Sequence, residues 1–415
     1  MYLTLVTTLV LLLAIAFAGN KISQLPTNVW LLFIAQPLGL SSASMVVFAG
    51  GLLGGKIAPS PEFATIPVTI MILMTAGGVV PAALLMKKFG RRIGTIIGLT
   101  SAVTGALLCA LAAAKSYFSL LIIGSGFLGF SLAFVAQMRF AVIESLDNPK
   151  DTPKAISVLM SGSMFAAVLG PEVAVIGKDL IDSPFGYAGS FVGLAIMILI
   201  AIVIVSSLKP IGVTEQKSAE ISRSLKNIIS QPIFIIAVCS GAIAYGVMSY
   251  VMTASPLSMH QIDGHDLEST KWVIQSHIIA MYLPSLFSAI LIRFFGLSKL
   301  MATGTLIYFL MILVALSGQH VMHYWWAMVL LGIGWNFLYT TGTVLLPESY
   351  QSNERFKVQA ANDFLIFFVQ AMASLSAGWI LFNYDWGVLI KISIPVLIIM
   401  SIISVWFLKL RYKKG

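Results

Sequence analysis

Five ionisable residues lie inside otherwise apolar stretches of the sequence: Arg139, Glu172, His277, Asp363 and Lys391. A charge in hydrocarbon is costly, so such a group is retained for a partner or a task. Lys391 sits about one turn from the end of its stretch and can extend its ammonium to the water. Arg139 is about two turns from an end, where Glu144 as a structural partner and a role on a substrate are both open. Glu172 and His277 are of the types that exchange a proton near neutral pH, as a buried carboxylate beside an imidazole can. A second set is polar and aromatic: Gln36 beside Pro37, with Ser41, Ser42 and Ser44; Gln137; Tyr245 and Tyr250; Trp335, Asn336 and Tyr339. Aromatic walls with a few placed polar groups bind small organic molecules.

Other chemistry is absent from the pattern. No Gly-rich loop ends in Lys-Ser/Thr, which argues against ATP hydrolysis, and no catalytic constellation is present, so neither an enzyme nor a cofactor is expected. His320 and His323, with His260 and His265, read as loop histidines in water and not as a metal site. Asp263, Asp266 and Glu268 read as a solvated loop. Cys109 and Cys239 are far apart in apolar stretches and read as packing residues.

The elements that must position these residues follow from composition. The 415 residues are 58% hydrophobic and 10% charged, and mean hydropathy is +0.95, so water is not the main solvent. A membrane-crossing helix needs about 20 apolar residues. Twelve such spans are legible: 29–54, 62–86, 94–114, 117–143, 155–180, 187–208, 228–254, 272–294, 298–318, 323–346, 358–382 and 387–408. The expected fold is an all-α polytopic membrane protein with six-helix bundles at 28–208 and 228–415 and a linker at 209–227. Ahead of them, 1–27 is an extra apolar segment, either a thirteenth helix or a signal-like peptide without the usual basic start. With the linker in the cytosol, nineteen of the twenty-five Lys and Arg residues fall on the cytosolic side, which is the positive-inside pattern. The net charge of +9 is thereby read as membrane topology and not as a nucleic-acid surface. The expected setting is a bacterial inner membrane with a cytosolic C-terminus, among lipids, as a monomer.

The second half repeats the first. Phe89-Gly90 and Gly98 correspond to Phe295-Gly296 and Gly304 at an offset of 206, and Glu144-Ser145 leading to Lys154 corresponds to Glu348-Ser349 leading to Lys357. Duplicated bundles are a hallmark of transporters. The turn after the second span, with Gly90, Arg91 and Arg92, resembles the first signature of the major facilitator superfamily, although Ala83 and Lys87 replace its Gly and Asp. The segment Pro347 to Phe364 is similar to bacterial facilitators as well. Gly162, Ala166, Gly170-Pro171 and Ala174 resemble the family's exporter signature, and the same spacing also serves ordinary close helix packing.

The resemblance implies two six-helix bundles related by a pseudo-two-fold axis and alternating access around a midplane site. It implies a cytosolic gate drawn from Lys87, Arg91, Arg92, Arg139, Glu144 and Asp363, in which Lys87 and Asp363 exchange the family's usual signs. It implies that spans 5 and 8 face each other, so Glu172 and His277, about 12 Å and 9 Å deep, become the proton-coupling pair, with Asp363 a further candidate. It places Gln36, Gln137, Tyr245, Tyr250, Trp335, Asn336 and Tyr339 in the substrate cavity. The expectation is proton-coupled export of a small organic solute. Uptake of a nutrient such as a siderophore or vitamin is the alternative, and a membrane sensor or assembly factor that has lost transport is another. Fold alone does not decide among them.

Overall fold

The computed structural model describes residues 2–148, 151–209, 223–351 and 354–412. Lys150, residues 210–222 of the expected linker, and Lys413 and Lys414 lie outside the described residues. Without water, a backbone must satisfy its own N–H and C=O groups, and an apolar chain does so as helix. Among the described residues there are helices and turns and no strand.

The helices are α1 Tyr2–Ile22, α2 Thr27–Ile57, α3 Ile66–Lys115, α4 Phe118–Glu144, α5 Thr152–Gly177 and α6 Ala188–Ser206. They continue as α7 Leu225–Ile229, α8 Pro232–Ile262, α9 Leu267–Tyr282, α10 Ser288–Ser317, α11 Val321–Leu345, α12 Arg355–Asn383 and α13 Trp386–Tyr412. Among the described residues, eleven helical stretches are long and apolar enough to cross a membrane. The chain divides into two compact units, Met1–Glu215 and Gln216–Gly415.

The apolar segment at the start is a helix. Its Leu12 and Ala16 bury themselves against Trp30 and Phe33 of α2, and Ser23 in the turn that follows accepts a hydrogen bond from Trp30 Nε1 at 3.0 Å. Its other face carries exposed Leu3, Val6 and Val10. A helix apolar all round suits lipid on one side and protein on the other.

Two spans expected at 62–86 and 94–114 run together as α3, broken at Gly90 with φ 80° and ψ 164°. The matching break in α10 is at Gly296, with φ 72° and ψ 158°. The sequence repeat is thus a backbone repeat, in a region of φ/ψ space essentially reserved for glycine. No atom would touch a Cβ at either position, so a side chain there is penalised by backbone strain alone. Gly90→Ala is expected to cost about 1–3 kcal/mol, read as a lower apparent melting temperature of detergent-solubilised protein.

The span expected at 272–294 is interrupted. Helix α9 stops at Tyr282, a 3₁₀ turn occupies Leu283–Phe287, and α10 begins anew at Ser288. Pro284 has no N–H to continue the ladder. Asn336 of α11 repairs the break, donating from Nδ2 to the Met281 carbonyl at 2.7 Å and to Ser285 Oγ at 2.6 Å.

Helices α2 and α5 pack through the small residues of α5. A Cβ on Gly162 would lie 2.9 Å from the Phe33 carbonyl oxygen, and one on Gly170 would strike the Ser44 hydroxyl. Ser44 Oγ donates to the Ala166 carbonyl at 3.2 Å. Close approach between helices therefore accounts for glycine and alanine at these positions.

Candidate functional site

The second unit holds an aromatic cluster. Residues four apart on a helix share a face, so α11 presents Trp335 and Tyr339 together, their rings nearly parallel at 18° with centroids 5.0 Å apart. Tyr245 of α8 stands across both, 5.1 Å and 83° from Trp335 and 5.1 Å and 88° from Tyr339. Phe367 of α12 reaches Tyr245 at 6.2 Å, and Tyr282, the last residue of α9, reaches Trp335 at 6.0 Å. These are the edge-to-face and offset geometries that aromatic rings prefer. Four helices thus contribute rings to one aromatic cluster.

Among the buried side-chain atoms of this unit that lack a hydrogen-bond partner among the described residues are Trp335 Nε1 and Tyr250 OH. Trp335 is only 2% exposed. A buried donor without a partner in the protein is unusual, and it can serve a bound acceptor. Asn336 is used differently: its amide nitrogen holds the broken end of α9. Tyr282 and Phe367 complete the cluster without having been singled out from the sequence.

His277 is fully buried on α9, and its Nδ1 meets the Met328 carbonyl of α11 at 2.7 Å. A carbonyl only accepts, so Nδ1 carries the hydrogen and the neutral ring leaves Nε2 as a proton acceptor. No partner for Nε2 is found among the described residues. Asp363 of α12 is half-buried, and its Oδ1 accepts from Asn362 Nδ2 at 3.0 Å.

In the first unit, Gln36 of α2 is buried, with its Oε1 accepting from Ser163 Oγ of α5 at 3.2 Å. Glu172 directly follows Pro171 inside α5 and is 2% exposed. Among the described residues the only buried carboxylates are Glu172 and Glu354; Glu354 lies in the turn before α12, whereas Glu172 is within a span. Glu172 and His277 belong to different units, as do Lys87 and Asp363.

At the Lys- and Arg-rich end of the first unit, Arg91 grips Glu144 with two parallel bonds, Nε to Oε2 at 2.9 Å and Nη2 to Oε1 at 2.6 Å. Arg91 Nη1 also donates to Gln137 Oε1 at 3.3 Å, so Gln137 joins this network. Arg139, a possible partner for Glu144 in sequence, instead lies exposed over the Phe140 ring at 4.8 Å; Arg91, reaching Glu144 from the turn at Gly90, takes both carboxylate oxygens. Arg92 Nη1 donates to the Leu208 carbonyl at 3.2 Å, and Lys87 is exposed. Arg91→Lys keeps the charge and loses the planar fork. It is expected to destabilise by about 1–2 kcal/mol, and in a thermal-unfolding double-mutant cycle with Glu144→Gln the two losses should not add.

The histidines of the second unit lie where α8 leads into α9 and α10 into α11. His260 Nδ1 donates to the His265 carbonyl at 2.8 Å, and His265 Nε2 donates to the Gln319 carbonyl at 2.7 Å. These bonds tie two loops together. No group of three or more potential metal ligands forms among the described residues.

Comparison with known proteins gives the arrangement a context. Residues 9–290 match the sequence profile of the Major Facilitator Superfamily. The chain is 33% identical over 377 residues to the riboflavin transporter RfnT of Brucella anthropi, covering 90% of this chain and 94% of that one. It is 28% identical over 388 residues to the uncharacterized MFS-type transporter YdeG of Bacillus subtilis, covering 88% and 90%. Among solved structures it resembles the nucleoside transporter NupG, with a TM-score of 0.68 at 14% identity over 92% of this chain and 100% of that one. It also resembles FucP in its outward conformation, with a TM-score of 0.58 at 15% identity over 90% and 97%. At such identities the structural likeness speaks for the fold, here that of two six-helix bundles.

Proposed function

This chain belongs to the Major Facilitator Superfamily and is a multi-pass membrane transporter of that type, and from that premise we propose that its solute is a flavin of the riboflavin class, taken up by alternating access and driven by a proton gradient. The observation that carries the reading is the aromatic cluster of Tyr245, Trp335, Tyr339, Phe367 and Tyr282. A planar three-ring heteroaromatic solute offers faces to stack on such rings and carbonyl oxygens to accept from a buried donor such as Trp335 Nε1. The riboflavin transporter of Brucella anthropi supports the same solute class, and a vitamin is something a cell acquires, which favours uptake. The small residues of α5 are accounted for by close packing against α2, so they do not decide the direction of transport.

Coupling is assigned to Glu172, as the buried carboxylate within a span, with the His277 Nε2 lone pair as a second proton site. The positive-inside pattern supports a cytosolic location for the end of the first unit that carries Arg91. Proteoliposomes given riboflavin and an inward proton gradient test the whole reading. Riboflavin should accumulate, and a protonophore should abolish the accumulation. Binding without flux would favour a sensor on the same fold. Neither binding nor flux above protein-free vesicles would exclude the flavin.

A further inference from the structure

Within the second unit, α12 lays one stripe of residues along α8. Asp363, Phe367, Gln370 and Ser374 recur at spacings of four, three and four, which puts them on one helix face. Three contacts fix the height of that face. The Phe367 ring meets Tyr245 at 6.2 Å. A Cβ on Gly246, the next residue of α8, would come within 3.0 Å of Val369 Cγ1. Farther along, the hydroxyls of Thr253 and Ser374 lie 3.3 Å apart. Gln370 therefore stands between the aromatic cluster and the Thr253–Ser374 pair, about 4.5 Å along the helix axis from Phe367.

Gln370 is half-buried, and its Oε1 is buried with no hydrogen-bond partner found among the described residues. Polar side chains inside a span ordinarily bond across to a neighbouring helix, as Ser240 of α8 does to the Leu338 carbonyl at 2.7 Å and Tyr308 of α10 to the Ala244 carbonyl at 2.9 Å. The Gln370 oxygen departs from that habit. Trp335 Nε1, on a ring 5.1 Å from Tyr245, departs from it too. A buried acceptor and a buried donor thus lie on two helices that meet at Tyr245. An amide side chain offers an acceptor oxygen and two donor hydrogens side by side, and an indole N–H only donates. Together they present donor, acceptor and donor. The complement is an imide edge, a ring N–H between two carbonyls. Oxidised riboflavin has one such edge, and its imide N–H is the only ring N–H it carries.

Resting on the flavin reading of this site, we propose that Gln370 is its specificity-determining residue: Oε1 accepts the imide N–H, Nε2 donates to one flanking carbonyl, and Trp335 Nε1 donates to the other. The aromatic rings can stack on any flat solute, whereas a buried polar group rejects a ligand that leaves it unpaired. The site therefore selects, among flat aromatic solutes, those with a free imide.

Riboflavin methylated at the imide nitrogen tests this, because it keeps the rings, the carbonyls and the sugar-alcohol chain and replaces only that hydrogen. In fluorescence titrations with full-length protein in detergent, it should bind native protein at least about tenfold more weakly than riboflavin does. Gln370→Leu should weaken riboflavin binding about tenfold and bring the two ligands within about twofold of each other. Trp335→Phe should weaken both alike, since the carbonyl that Nε1 serves is present in each. A loss of packing alone would also weaken both ligands alike in Gln370→Leu and so keep the native preference. That result, or equal binding of the two ligands by native protein, would overturn the assignment and leave the flavin reading standing. No riboflavin binding by native protein would overturn the flavin reading and this assignment with it. Gln370→Met gives the same decision should Gln370→Leu not fold.

Discussion

Glu172→Gln protein in vesicles should bind riboflavin and fail to concentrate it against a proton gradient. With one proton per solute, a gradient of about 2 pH units supports an accumulation of about a hundredfold, since each unit is worth about 1.4 kcal/mol; with glutamine the ratio should fall to about one. Glutamine nearly matches glutamate in size and hydrogen bonding but cannot take up a proton, so the change isolates titration from packing. The motive is position: Glu172 is 2% exposed, within α5 and one residue beyond Pro171. An ionisable side chain retained at such a place is a functional candidate by default. Normal accumulation by the variant would remove Glu172 from the coupling scheme, whatever His277 does.

Tyr245→Ala should weaken riboflavin binding by about ten- to a hundredfold, read by quenching of flavin fluorescence on titration with protein. Tyr245 is the one ring that contacts Trp335, Tyr339 and Phe367 together. Each aromatic pair contributes about 0.5–1.5 kcal/mol beyond simple burial, and without Tyr245 the remaining rings lose the wall that orients them. Tyr245→Phe keeps the wall and should stay within about threefold of the native affinity, as expected for one hydroxyl's net hydrogen bond. Native affinity in a folded alanine variant would mean that flavins bind elsewhere.

Much of the fold was legible because helix in a membrane follows from apolar length alone. The repeat was legible because two glycines in one backbone conformation leave a visible mark, Phe89-Gly90 against Phe295-Gly296. The site was harder. In stretches that are apolar on every face, Tyr282 and Phe367 stand out no more than their neighbours, so periodicity could not select them. Partner choice depends on helix rotation, which is why Arg139, close to Glu144 in sequence, yields to Arg91 from another helix. Asn336 had the look of a cavity residue because it stands beside Trp335; the interruption at Pro284 that its amide repairs lies on a different helix. Glu354 resembled any loop carboxylate, since burial of a loop residue is set by what folds over it.

The breaks at Gly90 and Gly296 also bear on which variants of this chain can arise. Any single-base change of a glycine codon that alters the residue either stops translation or installs a Cβ. At φ near +75° and ψ near 160° every such Cβ is strained, and no contact nearby exists to offset it. Both turns are therefore mutationally isolated: conserving them requires no contact with solute or proton, and in a collection of natural variants they should be invariant even where the surrounding lysines and arginines drift.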